Sequence, residues 1–238
     1  MDTKNLSASF LIVNYRQNIE LKSLVNYINT NFKYNFEILI FNNSRSNIKF
    51  SNANIKVYSV NKNIGYATAI DFLATKAKYS YFYILNPDIK FIKNINSSLT
   101  KFSSLPLPYG VFSLAGADKT ITTPLFSKFL SSTKRYSSFA FIVYKETFLV
   151  LGGYNPKYFM YFEDEDFNKK LNKFKIKTYY PKKPYVTHLK TYKNINLFKR
   201  KYHYYKSFLL FLKNNHFFTY LLFYIPLKIL IWVCKFFK

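Results

Sequence analysis

Four of the 11 acidic residues in this chain stand side by side, at Glu163, Asp164, Glu165 and Asp166, in a sequence that carries 36 Lys and Arg. They close the stretch GGYNPKYFMYFEDED, Gly152 to Asp166. Adjacent like charges repel unless a cation, a helix N-terminus or a reaction uses them. Two readings are open. Charge runs usually mark a solvated face, and acids in a first helical turn suit the helix dipole. The pattern does continue as a helix over Glu163–Phe174, with Phe167, Leu171 and Phe174 on one side. That reading explains one or two carboxylates better than four. Asp164 precedes Phe167 and Leu171 at helical spacing and so shares their inward side. An inward carboxylate at the mouth of a helix is placed for proton chemistry. Two further titratable residues stand at the ends of apolar segments. Asp88 follows Asn86-Pro87, where the pattern alone reads as a turn. His188 ends a short apolar segment, where a lone histidine is more often structural or exposed than a ligand.

The elements around these residues follow from hydrophobic pattern. Ala8–Asn14, Glu37–Phe41, Ile55–Val60 and Tyr79–Leu85 are short apolar runs, hence buried strands. Between them, Ile19–Phe32 carries Leu21, Leu24, Val25 and Ile28 at helical spacing, and Tyr66–Lys78 reads as a second helix after the turn Asn61–Gly65. Strands alternating with helices predict βαβ units: an α/β fold with a mostly parallel sheet and helices on both faces. In such sheets ligands bind beyond the carboxyl ends of the strands. The polar tips expected there are Asn14, Tyr15, Asn42, Asn43, Ser44, Asn86 and Asp88. Further on, the pattern predicts a helix near Ile92–Phe102, broken at Leu105–Pro108, then strands at Gly110–Ala115 and Ser137–Tyr144. A polar loop at Ser127–Tyr136 lies between those two, and short strands follow at Lys175–Pro181 and Pro184–His188.

From Tyr192 the texture changes. Lys193–Asn215 reads as a basic, aromatic helix, and Phe217–Phe237 is strongly apolar. The second segment has about the 20 residues that span a bilayer, but Pro226 and Lys228 interrupt it. A helical hairpin or amphipathic anchor lying in the membrane interface fits best, its lysines reaching to phosphates. The alternative is a C-terminal helix packed on the domain or on a partner. The expected division is residues 1–190 as one α/β domain and 191–238 as the tail.

A formal net charge of +25 points to an anionic partner: nucleic acid, an acidic membrane surface or a phosphorylated substrate. Lys, Asn, Ile, Tyr and Phe are abundant together, as an AT-rich genome also writes, so charge alone does not name the partner. Nucleic acid is disfavoured, because the acidic run repels phosphates and no binding signature is present. Cys234 is the single cysteine, which excludes an intrachain disulfide and fits a reducing compartment. The first residues lack signal-peptide architecture, so the expected location is cytoplasmic, against the inner face of the membrane.

Five segments in order, FLIVNYR, ILIFNNS, NKNIGYATA, YILNPD and GGYNPKYFMYFEDEDFNKKL, resemble the inverting glycosyltransferases of family 2. The closest likeness is to the rhamnosyltransferase-like branch of bacterial surface polysaccharide synthesis. The resemblance runs from about Phe10 to His188. It implies a GT-A fold and a nucleotide-sugar donor. Asp88 would stand at the family's metal motif, in an NPD form, and ligate Mg²⁺ or Mn²⁺ that bridges the donor diphosphate; Asn86 would be a neutral helper. His188 matches a histidine that adds a metal ligand in some relatives. Asp164 matches the Asp that serves as general base on the acceptor hydroxyl. Glu163 and Asp166 would orient the site or cap the helix, and Glu165 would face solvent. Asn14, Tyr15, Asn42 and Ser44 match loops that hold base and ribose, and Gly152-Gly153 the turn where the acceptor site begins. Two positions depart from the pattern: Phe41 replaces a usual Asp, and Asp71 stands near a usual Asn.

The resulting expectation is an enzyme that passes a sugar to a glycan or lipid-linked acceptor at an anionic membrane surface. The alternative is a catalytically inactive GT-A-like scaffold of a polysaccharide assembly complex, suggested by Phe41 and by the lost first acid of the metal motif.

Overall fold

The computed structural model describes residues 6–105, 110–115, 136–189, 191 and 196–237. Four apolar runs form β1 (Ser7–Asn14), β2 (Asn35–Asn42), β3 (Ile55–Ser59) and β4 (Tyr81–Leu85). Between them lie α1 (Asn18–Asn31) and α2 (Tyr66–Lys76). There follow β5 (Ile89–Phe91), α3 (Ile95–Ser103), β6 (Val111–Ser113), β7 (Ala140–Tyr144), α4 (Lys145–Val150), α5 (Glu163–Lys173), β8 (Thr178–Tyr179) and β9 (Val186–His188). The chain ends in α6 (Leu197–Asn215) and α7 (Phe217–Phe236).

Seven strands form one sheet in the order β3-β2-β1-β4-β7-β6-β8. β1 pairs parallel with β2 and β4, and β2 pairs parallel with β3. β7 runs antiparallel to both β4 and β6. Successive strand residues alternate between two cores. Phe10, Ile12, Ile38 and Ile40 pack with α1 and α3 on one face. Leu11, Val13, Leu39 and Phe41 pack with α2, α4 and α5 on the other. Burial on both faces explains why these strands read as unbroken apolar runs.

The strand order reverses where β1 lies between β2 and β4. That reversal leaves a crevice at the strands' carboxyl ends, flanked by Asn14 after β1 and Asn86–Asp88 after β4. A separate antiparallel pair, β5 with β9, sets His188 opposite Ile89, next to Asp88.

A third core joins the tail to the body. Tyr158 and Phe162, just before the acidic helix, pack with Phe208, Phe211 and Leu212 of α6, and Leu227 of α7 closes the cluster. His216 caps both helices of this pair. α7 continues through Pro226, although proline forfeits a helical hydrogen bond there. Its outer face leaves Phe218, Leu222, Ile225 and Trp232 exposed. Among the described residues, α7 is the one helix long and apolar enough to cross a membrane, by length and composition. Residues 116–135, which include all of the expected polar loop Ser127–Tyr136 except its last residue, lie outside the described residues, as do residues 106–109 at the expected helix break and 192–195 at the start of the expected basic helix.

Candidate active site

The β1–β2 side of the crevice is a network of amides and hydroxyls. Asn14 Nδ2 donates to Asn42 Oδ1 at 3.1 Å and to Asn18 Oδ1 at 2.9 Å. Asn42 Oδ1 also accepts from Ser44 Oγ at 2.7 Å, and Asn42 Nδ2 donates to the Ser46 carbonyl at 2.6 Å. Asn42 is thus the hub of its loop. Asn43 ties in the next turn: its Nδ2 donates to the Gly65 carbonyl at 3.0 Å, and its Oδ1 accepts from the Ile64 amide at 3.2 Å. Beyond Ser44 the loop opens on a cleft of about 510 Å³, lined by Arg45, Ser46, Asn47 and Ser59 among others. Tyr15 stands at the end of β1 beneath the Arg16 guanidinium, 5.3 Å from its ring. Phe41, the departure from the family pattern, is buried and meets Phe72 edge-on at 5.5 Å. Its side chain belongs to the core and supplies no polar contact to the crevice.

Asp88 is fully buried, and His188 Nε2 stands 3.1 Å from its Oδ2. Burial alone would raise the Asp88 carboxyl; hydrogen bonding and charge from His188, together with hydrogen bonds from Gln17 and the backbone, outweigh it and hold the group below the ordinary carboxylate range. Phe139 stacks on the His188 ring at 4.5 Å, and its carbonyl accepts from the Asn86 amide at 2.8 Å. Among the described residues no three His, Cys, Asp or Glu side chains gather at one metal-sized site. The pair itself suits a divalent ion that takes its remaining ligands from phosphate and water, as Mg²⁺ commonly does.

Across the crevice α5 opens at Glu163. Asp164 is the least buried of the four acids, and its Oδ1 accepts from the Glu165 amide at 3.0 Å. Tyr136 Oη donates to the Asp164 carbonyl at 3.4 Å. Tyr136 and Phe139 are the two ends of one short segment leading into β7. One end touches Asp164 and the other covers His188, so both acidic centres lie at the same edge of the sheet. Glu163 is buried, which pushes its carboxyl up to about 8, with the Asp164 charge adding to the effect. Asp166 Oδ1 accepts from Tyr158 Oη at 3.3 Å.

The expectation for Glu165 is corrected. It is 5% exposed, not solvent-facing. Its charge acts on Lys169 and on Tyr204 of α6, which covers that side of α5. A helical wheel for α5 holds no information about a later helix.

The turn before α5 carries strain. Tyr161 and Phe162 are successive non-glycine residues at φ 70° and 67°, in the left-handed region. Such residues cost roughly 1–3 kcal/mol each and persist where surroundings over-determine them. The turn at Gly152-Gly153 is held differently. Asp71 Oδ1 accepts from the Tyr154 amide at 2.9 Å, and Lys170 Nζ donates to the Gly153 carbonyl at 2.8 Å. Burial pushes the Asp71 carboxyl up to about 6, against the lowering influence of Tyr154 and Lys170. The second departure from the expected pattern is therefore a brace between α2 and the Gly152-Gly153 turn. Sequence reasoning missed this role, as it missed that of Tyr136.

A Rossmann-like sheet reversing at β1, with an antiparallel strand inserted beside β4 and a two-stranded β5–β9 pair, defines a GT-A fold. The solved structures agree. S. aureus TarS (residues 1–349) superposes with a TM-score of 0.60 at 13% identity, covering 86% of this chain and 64% of that one. The mannosyltransferase PcManGT from Pyrobaculum calidifontis, in complex with GDP-Man and Mn²⁺, gives 0.59 at 11% identity over 85% and 61%. GalNAc-T7, solved with UDP, GalNAc and Mn²⁺, gives 0.57 at 19% identity over 71% and 41%. The chain thus spans less than two thirds of each. No protein-family profile and no curated protein sequence matches it.

Proposed function

We propose that this chain is an inverting glycosyltransferase that moves a sugar from a nucleoside-diphosphate donor to a bacterial glycan acceptor, lipid-linked at the membrane surface. One observation carries the reading: buried Asp88 with half-buried His188, and Asp164, share one sheet edge, joined through the segment from Tyr136 to Phe139. The donor's base and ribose lie along Asn14, Tyr15, Asn42 and Ser44, beside the cleft that Asn42 and Ser44 border. Asp88 and His188 hold the cation, with Asn86 beside them. Mg²⁺ or Mn²⁺ held there would supply charge neutralisation at the diphosphate, as a hard divalent ion does. Mn²⁺ accompanies UDP in the GalNAc-T7 structure and GDP-Man in the PcManGT structure, which supports this class of ligand.

Asp164 accepts the proton of the acceptor hydroxyl as that oxygen attacks the donor's anomeric carbon. The new C–O bond forms on the face opposite the breaking bond to phosphate, so the configuration inverts. A general base supplies about 10²- to 10⁴-fold. The motif likeness favours the rhamnosyltransferase-like branch and a hexosyl or deoxyhexosyl donor. Residues 1–190 form the transferase domain in this reading, and 191–238 a membrane-associating tail. Exposed apolar residues of α7 enter the lipid boundary, while Lys199, Lys201 and Lys206 on α6 meet anionic headgroups at about 1 kcal/mol each.

A transfer assay over a panel of nucleotide sugars with Mn²⁺ or Mg²⁺ tests the reading, expecting turnover with one donor class. Donor binding without transfer to any glycan would favour the scaffold alternative, which Phe41's place in the core keeps in view. Truncation at Lys213 is expected to release the protein from anionic vesicles; undiminished pelleting overturns the tail assignment.

A further inference from the structure

The strained turn that launches α5 is gripped on three successive residues by α6. Ser207 Oγ donates to the Met160 carbonyl at 2.8 Å. Arg200 Nε donates to Tyr161 Oη at 3.3 Å. The Phe162 ring lies 5.2 Å from Tyr204 and 5.3 Å from Phe208. Arg200, Tyr204, Ser207 and Phe208 recur at helical spacing and form one face of α6. Phe162 is also the N-cap of α5, and its carbonyl accepts the helix's first backbone bond, from Asp166, at 2.9 Å. It makes no side-chain cap bond, so its backbone conformation alone sets the direction in which the first turn leaves. Bulky side chains do not hold the left-handed region unaided.

We infer that α6 is the positioning element for Asp164: Ser207, with the aromatic face around it, holds Tyr161 and Phe162 left-handed and thereby fixes where that carboxylate points. The inference rests on the general-base reading of Asp164. It makes the tail part of the catalytic geometry, beyond any role in docking.

The test is a double-mutant cycle of Ser207→Ala and Tyr161→Gly in the full chain, read by steady-state kinetics and by amide hydrogen exchange at Glu165 and Asp166. Glycine takes the left-handed conformation without strain, so the clamp has less to hold in that background. Ser207→Ala alone is expected to lower kcat about tenfold with donor KM within about twofold, and to speed exchange at both amides. In the Tyr161→Gly background the same change is expected to do less than about half as much on a logarithmic scale. Equal effects in both backgrounds overturn the inference, as does a lowered Tm with kcat and exchange unchanged. Exchange is measured without substrate. Accelerated exchange in a protein that transfers no sugar would therefore refute the enzyme reading and leave the clamp standing; unchanged exchange with altered kcat refutes the clamp.

Discussion

The two walls of the crevice are built on different physics. The β1–β2 wall is held by short-range polar bonds: Asn14, Asn42, Ser44 and Ser46 satisfy one another within two adjacent parallel strand ends. The α5 wall is held at a distance, by aromatic packing from α6, by Asp71 of α2 and by two strained residues. The first wall is preformed by its own loop. The second exists only once distant parts of the chain have docked, so it is the wall whose geometry can be changed from outside.

The sharpest break in this comparison is expected at the reacting carboxylate. Asp164→Asn should reduce transfer by about 10²- to 10⁴-fold while donor affinity persists, as measured by turnover and calorimetry. Normal turnover in that variant removes the base assignment. Asp88→Ala should abolish the Mn²⁺-dependent part of donor affinity, and Asp164→Asn should not. Equal affinity with and without Mn²⁺ in the parent protein overturns the cation site.

Gly65 is the seam between the walls. It sits at φ 88°, ψ 168°, a region essentially restricted to glycine, and an added Cβ would lie 2.6 Å from the Phe159 carbonyl oxygen. Gly65→Ala is expected to destabilise by roughly 1–3 kcal/mol in denaturant titrations and to impair both donor binding and turnover. A loss confined to one of them means the walls are independent.

The smallest effect concerns acidity. Burial raises the Glu163 carboxyl from 4.5 to about 8 in the folded protein. The folded state then keeps a proton that the unfolded chain releases within that interval. The associated stability is whole below the lower value and is lost as pH rises through the upper one. Glu163→Gln should flatten this decline, so that the variant gains on the parent as pH rises; parallel stability profiles count against it.

Much of the fold was legible because parallel strands and their crossover helices each carry a local signature. The runs at Ala8–Asn14 and Tyr79–Leu85 needed no knowledge of their neighbours. Strand direction has no such signature, so nothing in the Ser137–Tyr144 run revealed that β7 is antiparallel. β5 spans three residues, too few for any periodicity, yet its pairing with β9 is what brings His188 to Asp88. α4 was missed because six residues give barely more than one turn of pattern. The acids of α5 were readable as a cluster, but which of them is accessible was decided by α6, through packing that no window on residues 163–174 contains. The brace at Asp71 escaped for the same reason: its partner is a backbone amide far along the chain.

The open outer face of α7 has an optical consequence. Trp232 is the chain's only tryptophan, 67% exposed, and it lies on that face. Indole emission therefore watches the tail and nothing else, while the 23 tyrosines are spread through the body as well. A blue shift on adding anionic vesicles would register burial of this one helix, and titrating nucleotide sugar into the same cuvette would ask whether filling the cleft is felt there.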